Sequence, residues 1–267
     1  MDLPSWAPES IDVTRPSAAR VYDYILGGAH NFAVDRELGD ELIRRSPDVA
    51  ETMRANRVFL RRAVRYLAEQ GIRQFLDIGS GVPTVGNVHE IAQQVSPEST
   101  VVYVDMDPVA VAHSEAILEG NDRAGVICAD MREPELIKSR AAASGLIDFA
   151  APVALLLAGV VHFIPDSDDP GGLVAQLRDP LVAGSYLLVS HTTYDGQPPE
   201  VVAAQQLAAR TATPLFPRTH AEVLSYFDGT ELIDPGLVFI PLWRPDPGEV
   251  VEHPERTSAY AGVSSKR

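Results

Sequence analysis

The chain has 267 residues, enough to bury a full core as one domain with an appendage. Its 45% apolar and 22% charged residues are ordinary for a globular protein, while a formal net charge of -15 argues against a nucleic-acid backbone as partner. One cysteine leaves no internal disulfide and no cysteine-based metal cage, and the apolar run Phe149 to Val161, broken by Pro152 and Gly159, is too short for a bilayer.

The start, Met1-Asp2-Leu3-Pro4, lacks the basic residues and apolar stretch of a signal peptide, so the expected location is cytoplasmic. Ser17 to Leu26 is a candidate helix stopped by Gly27-Gly28, and a second runs from about Asp35 to Arg45. A third spans about Pro47 to Gln70. It places Phe59, Ala63, Tyr66 and Leu67 on one face, sets Arg61, Arg62 and Arg65 largely on the other, and ends at Gly71. Residues 1–72 therefore read as an α-helical extension, and residues 73–267 as the main domain.

That domain opens on Phe75-Leu76-Asp77-Ile78-Gly79-Ser80-Gly81, a short apolar strand running into a glycine turn. Glycines there let a ligand approach the backbone, and a helix expected from about Pro83 to Val95 opens its N-terminus on the same spot. The dinucleotide fingerprint is incomplete: its third glycine position falls on Thr84, and Gly86 comes two residues late. Asp77 also stands where dinucleotide sites keep an apolar residue. A carboxylate aimed at the turn suits a ligand with a cationic amino group, such as S-adenosylmethionine.

Val101 to Asp105 is a second strand ending in an acid, 26 residues after Gly79, near the usual spacing of roughly 20 for a carboxylate on a ribose diol. Asp107-Pro108 then starts a helix, and Asp107 reads as its cap rather than as a ligand. A third strand, Val126 to Cys128, ends in Ala129-Asp130-Met131. There an acid and an apolar neighbour can bond an adenine amino group and cover the ring, although Asp130 can equally cap the turn before Pro134. Cys128 reads as a small buried hydrophobe. The fourth strand, Val153 to Leu157, ends in Ala158-Gly159-Val160-Val161-His162-Phe163, with His162 either a core histidine or a site residue. Asp166, Asp168 and Asp169 read as a solvated loop capping a helix from Gly171. A fifth strand, Tyr186 to Val189, leads to His191. Further on come helices over about Glu200–Arg210 and Ala221–Phe227, the latter with a capping box at Thr219 and Glu222. Strands over Leu237–Ile240 and Ser258–Val263 complete an α/β chain. No metal-ligand spacing appears.

From about Gln74 to Ser190 this pattern resembles the class I S-adenosylmethionine-dependent methyltransferases. A closer likeness extends over nearly the whole chain. It is carried by Arg15-Pro16-Ser17-Ala18-Ala19-Arg20-Val21-Tyr22-Asp23-Tyr24-Ile25-Leu26-Gly27-Gly28 with the following Ala29 to Arg36, by Arg54 to Leu60, Arg73 to Gly79 and His162-Phe163-Ile164-Pro165-Asp166, and by Trp243-Arg244-Pro245-Asp246. These segments are similar to the bacterial S-adenosyl methyltransferase family long filed as a domain of unknown function.

The resemblance implies a Rossmann-like sheet, mostly parallel, with seven strands and the last antiparallel. It implies S-adenosyl-L-methionine as cofactor and S-adenosyl-L-homocysteine as product. Cofactor contacts are expected from Asp77, Gly79, Ser80, Gly81, Asp105, Met106, Asp130, Met131, Ala158 and Gly159. Leu26-Gly27-Gly28 with Asn31 and Phe32 would close over the ligand as a lid, the alternative being simple helix packing; Tyr24, Gly28, Asn31 and Phe32 are counted among the cofactor contacts. Arg57 or Asn56 would hold the methionine carboxylate. His30 reads as a surface histidine. Tyr22 and Tyr24 would line the transfer chamber, where aromatic faces attract a sulfonium. His162 is the first candidate base, with His191 and Tyr22 behind it. The expected reaction is direct in-line transfer to a small molecule, or cofactor binding without transfer. No membrane or nucleic-acid partner is expected, and pairing through the N-terminal helices is one arrangement left open.

Overall fold

Alternation along the strands decides what faces what. The computed structural model describes residues 11–83, 86–197, 202 and 214–267; the helix expected over 200–210 therefore lies, Val202 apart, outside the described residues. The strands are β1 (Gln74–Ile78), β2 (Thr100–Asp105), β3 (Ala124–Cys128), β4 (Ala154–Ala158), β5 (Tyr186–Thr192), β6 (Glu231–Leu232), β7 (Val238–Phe239) and β8 (Ala259–Ser265). They form one sheet in the order β3-β2-β1-β4-β5-β8-β6, with β7 also on β8. The first five are parallel; β8 runs antiparallel to β5, and β6 and β7 antiparallel to β8. The strand order reverses between β1 and β4, which opens a crevice at their carboxyl ends. The mostly parallel body with its antiparallel end is the expected sheet.

Helices cover both faces, so the central strands are continuously apolar. The helices are α1 (Ala18–Ile25), α2 (Ala33–Arg45), α3 (Val49–Glu69), α4 (Val88–Val95), α5 (Pro108–Ile117), α6 (Pro134–Ala143), α7 (Pro170–Arg178) and α8 (His220–Ser225). Leu76, Ile78, Val102, Val104, Leu155 and Leu157 join one core with Ile137 of α6 and Val174 of α7. Their strand neighbours Phe75, Val101, Tyr103, Ala154 and Leu156 join a second core with Phe59, Ala63 and Leu67 of α3. A period of two thus puts Asp77, Asp105 and Ser190 on the α3 face, and His191 on the other.

The Trp243-Arg244 segment clamps the C-terminal region to α3. Trp243 is fully buried, edge-on to Phe59 at 5.2 Å and to Tyr66 at 6.2 Å. The Arg244 guanidinium lies 3.9 Å from the centre of the Tyr66 ring. Truncating a buried aromatic of this size costs about 3–5 kcal/mol.

Several boundaries differ from expectation for local reasons. The helix after the glycine turn starts at Val88, not Pro83, because Gly86 takes φ 79° and Asn87 forms a capping box with Glu90. Glu90 accepts the backbone N–H groups of Gly86 (2.9 Å) and Asn87 (2.8 Å). The helix N-terminus therefore stands several residues beyond Gly79. Strand β5 continues to Thr192, since β8 pairs with it through that residue. The strand expected at 237–240 shrinks to Val238–Phe239, and Ile240–Leu242 coils into a 3-10 turn. Asp169, at φ 49°, caps α7 by accepting from Gly172 N–H at 3.0 Å, so that helix starts at Pro170. Cys128, expected to be buried, is exposed at the end of the edge strand β3. No helix among the described residues is long and apolar enough to cross a membrane.

Candidate functional site

The crevice begins where β1 ends. Gly79 takes φ 73°, its N–H bonds Val104 O at 2.8 Å, and a Cβ there would lie 2.4 Å from Val160 Cγ2. Only glycine allows both the turn and that approach. Gly81 takes φ 68° and donates its N–H to Asp105 Oδ2 at 2.7 Å. The other oxygen of Asp105 accepts from Asp107 N–H at 2.8 Å. The carboxylate at the tip of β2 is thereby aimed at the glycine turn. Burial pushes its pKa up to about 6, with the two backbone bonds opposing.

A buried acid and two open groups line the crevice. Asp77 is 4% exposed, and burial raises its pKa to about 7, against the pull of Arg57 and with the push of Asp105. Arg57, on α3, has a buried Nη2 without a partner among the described residues, and Ser80 has a buried Oγ in the same state. Buried polar atoms cost free energy unless bonded, so this trio is a standing demand for a polar ligand. With Gly81, Asn87 and Tyr103 it lines about 230 Å³ of space. Tyr103 is not part of the demand: its hydroxyl accepts from His89 N–H at 2.8 Å and pairs with the His89 ring.

Beside the trio, α3 touches the ends of β4 and β5. Asn56 Oδ1 accepts from Ser190 Oγ at 2.6 Å, and a Cβ on Gly159 (φ 77°) would sit 3.3 Å from Asn56 Nδ2. Asn56 is therefore occupied, whereas Arg57 keeps an open nitrogen. Ala158 is half-buried at the end of β4. Tyr22 donates to Met53 O at 2.9 Å; burial raises its pKa, with Asn56 and Arg57 opposing.

His162 is buried, and its Nδ1 has no partner among the described residues. Burial, then His191 and Arg218, hold its pKa well below the usual imidazole value, so the ring is neutral at physiological pH. His191, 5.6 Å away between ring centres, is saturated. Its Nδ1 pairs with Thr192 O at 2.8 Å and its Nε2 with Arg218 Nη1 at 3.0 Å. Because arginine can only donate, Nε2 accepts and Nδ1 carries the proton. Burial lowers the His191 pKa to about 4. Arg218 also donates to Ile164 O (2.9 Å) and Asp166 Oδ1 (2.7 Å).

Other expected residues have prior partners. Asp130 bonds Arg132 N–H at 2.9 Å and the Arg132 guanidinium; burial would raise its pKa, but those bonds hold it below the usual carboxylate value. Met131, expected over a ring, is instead 5% exposed inside the core, while Met106 beside Asp105 is 61% exposed. Tyr24, expected in the chamber, turns to α2. It donates to Asp40 Oδ1 at 2.7 Å, and its ring lies where a Gly39 Cβ would be, 2.4 Å away. Asn31 is spent on the loop before α2: it donates to Asp23 Oδ2 (2.9 Å) and Gly28 O (3.0 Å). Gly28 is needed there, since a Cβ would strike Asp23 Oδ1 at 1.9 Å. Phe32 caps α2 beneath the Arg20 guanidinium, 5.4 Å from the ring centre. His30, read as a surface group, lies against His113 of α5 with ring centres 3.6 Å apart and planes tilted by 52°, which lays this loop on the helix whose Ser114 lines the crevice. Sequence reasoning missed Arg20, 3% exposed between Asp35 and Asp107. Its one signal was a place on the buried face of α1. Among the described residues no cluster of His, Cys, Asp or Glu could hold a metal ion.

Known proteins match this architecture. A crystal structure of a candidate methyltransferase from Thermobifida fusca YX is 38% identical, with a TM-score of 0.91 over 99% of this chain and 100% of that one. A DUF574 family protein from Streptomyces avermitilis MA-4680 is 42% identical, with a TM-score of 0.90 over 96% and 99%. The N-methyltransferase NodS from Bradyrhizobium japonicum WM9, in complex with S-adenosyl-L-homocysteine, is 8% identical with a TM-score of 0.50 over 92% and 98%, a likeness of fold alone. No curated protein matches the chain. A buried acid and an open arginine at a glycine turn fit the ammonium and carboxylate of an adenosyl amino acid. The family model described as S-adenosyl methyltransferase matches residues 4–267, and the chain belongs to that family.

Proposed function

We propose that the protein transfers the methyl group of S-adenosylmethionine directly to a small-molecule acceptor. The observation that carries this reading is the buried Asp77 beside the unpartnered Arg57 Nη2 and Ser80 Oγ at the turn of Gly79 and Gly81. Asp77 would take the ligand's ammonium, Arg57 its carboxylate and Ser80 a further polar atom. Asp105 would take the ribose hydroxyls, Met106 the open face of the base, and Asp130 the adenine amino group once it shares its bonds with Arg132. Gly159 leaves the reacting end room beside Asn56. When bound, S-adenosylmethionine supplies an activated methyl group. The chain's own share is to align the acceptor with it and keep water out.

Where the acceptor must lose a proton, His162 would take it, since its ring is held neutral and its Nδ1 has no partner among the described residues. Tyr22 is the second group at that end. The helices of residues 1–72, with Gly28, Asn31 and Phe32 at their turn, would form the cover. The net charge of -15 favours a small molecule over a nucleic acid. One observation favours a second reading, a cofactor-binding protein without transfer: burial lowers both His162 and His191, so neither is tuned near neutral pH.

Calorimetry with S-adenosylhomocysteine, followed by incubation with methyl-labelled donor and a cell extract, separates these readings. Binding with label in a small product supports transfer. Binding without any labelled product supports the second reading. Absence of binding overturns both.

A further inference from the structure

Arg20 is 3% exposed and ties three parts of the molecule together. Its Nε donates to Asp35 Oδ2 at 2.9 Å, its Nη1 to Asp107 Oδ2 at 3.1 Å, and its Nη2 to Arg15 O at 2.7 Å. Asp35, fully buried, also accepts the backbone N–H groups of Ser17 (2.9 Å) and Phe32 (2.8 Å). Asp107 is 7% exposed. Its Oδ1 caps α5 through Val109 N–H at 2.8 Å, and its own N–H holds Asp105 Oδ1 at 2.8 Å. A helix cap does not need an arginine; most caps satisfy their second oxygen with water. This one is buried, so the oxygen turned away from α5 needs a charged partner, and that partner comes from α1, 87 residues earlier.

A continuous chain of bonds results. It runs from the Phe32 turn through Asp35, Arg20 and Asp107 to Asp105, and from there to the N–H of Gly81. Without the guanidinium, the Asp107 side chain is driven towards water. Its backbone N–H then no longer fixes Asp105, which is free to turn away from the glycine loop.

We infer that Arg20 is a positioning residue for the cofactor site: acting through Asp107, it holds the Asp105 carboxylate in place, so that the docked N-terminal helix completes the grip on the ribose. This rests on the assignment of Asp105 to the ribose hydroxyls. Arg20 itself touches neither cofactor nor acceptor.

The test is a double-mutant cycle on the full chain, read by calorimetry with S-adenosylhomocysteine, with thermal unfolding as a check on the fold. Arg20→Gln is expected to weaken binding roughly three- to thirty-fold in the wild-type background. In an Asp105→Asn background the same change should move affinity less than about two-fold, because the group it positions is already blunted. Arg20→Lys should recover part of the loss, since it keeps the charge without the fork. An equal loss in both backgrounds makes Arg20 a strut and overturns the inference while leaving the site intact. Full affinity in Asp105→Asn alone overturns the ribose assignment and the inference with it. Where Arg20→Gln does not fold, Arg20→Lys carries the same cycle.

Discussion

Two buried polar clusters sit on opposite faces of one sheet, and they are finished to different degrees. On the face away from α3, His191 and Arg218 satisfy each other, Thr192 O, Ile164 O and Asp166, and only the neighbouring His162 Nδ1 and Tyr226 hydroxyl stay unpartnered among the described residues there. On the α3 face, Arg57 and Ser80 keep open atoms beside the buried Asp77. The same physics governs both, since an unmade bond in a buried site costs free energy. A closed cluster stabilises the fold. An open one leaves that stabilisation to be supplied by a ligand. On that comparison we read His191 as structural and propose the glycine-turn crevice as the binding site.

The largest expected effect breaks the closed cluster. Arg218→Ala leaves the buried acceptors of His191 and Ile164 open, at about 1–3 kcal/mol each, so urea unfolding should show a loss of about 3 kcal/mol. Calorimetry with S-adenosylhomocysteine on the folded variant should show unchanged affinity. If binding falls along with stability, the two clusters are not separate.

The open cluster should respond the other way round. Arg57→Ala and Asp105→Ala are each expected to weaken S-adenosylhomocysteine by about 1.5–3 kcal/mol, the range for bonds to charged groups. Arg57→Ala should cost the unliganded fold less than Arg218→Ala, because its open Nη2 makes no bond there and only its charge bears on Asp77. Unchanged affinity in either variant removes that residue from the site.

The two clusters also have opposite pH signatures. Asp77 is raised by burial from the usual carboxylate value to about 7, so between about pH 4 and 7 the folded chain holds a proton that the unfolded chain releases. Its contribution to stability is full below about pH 4 and is lost as pH rises through 7. His191 is lowered by burial to about 4, so its contribution is full above about pH 6.5 and is lost as pH falls towards 4. Thermal unfolding across pH 4–8 should show Asp77→Asn relieved of part of the loss towards pH 7, the share of Asp105 remaining, with the acid-side loss retained. A variant that tracks wild type throughout would show that Asp77 is not a strained buried acid.

The smallest expected effect is at Ser80. Ser80→Ala removes a buried hydroxyl that has no partner, so stability should hold or rise slightly while affinity falls by about 0.5–1.5 kcal/mol. A clear loss of stability would mean that the hydroxyl is already bonded.

Local patterns made much of this legible. The run Phe75 to Gly81 announces a strand and a glycine turn, Asp107-Pro108 a helix start, and Thr219 with Glu222 a capping box; each appears where expected. The turns at Gly79 and Gly81 follow from neighbours in sequence, as does the aim of Asp77 and Asp105 onto one face, set by a period of two. Met131 failed because the turn after β3 sends its side chain into the core, a direction that its neighbours do not encode. Tyr24 failed because helical spacing gives a face but not the partner of that face, and α2 claimed it through Gly39 and Asp40.

The sequence by itself determined the order of elements, the glycine turn and the acids at the strand tips, because each depends on residues a few positions apart. The tertiary structure alone decided that α3 brings Arg57 to Asp77, that Asn56 is spent on Ser190, and that Arg20 reaches Asp107 across 87 residues. Those pairings depend on which helix packs on which face of the sheet, a choice made by the burial of whole surfaces and carried by no short stretch of chain.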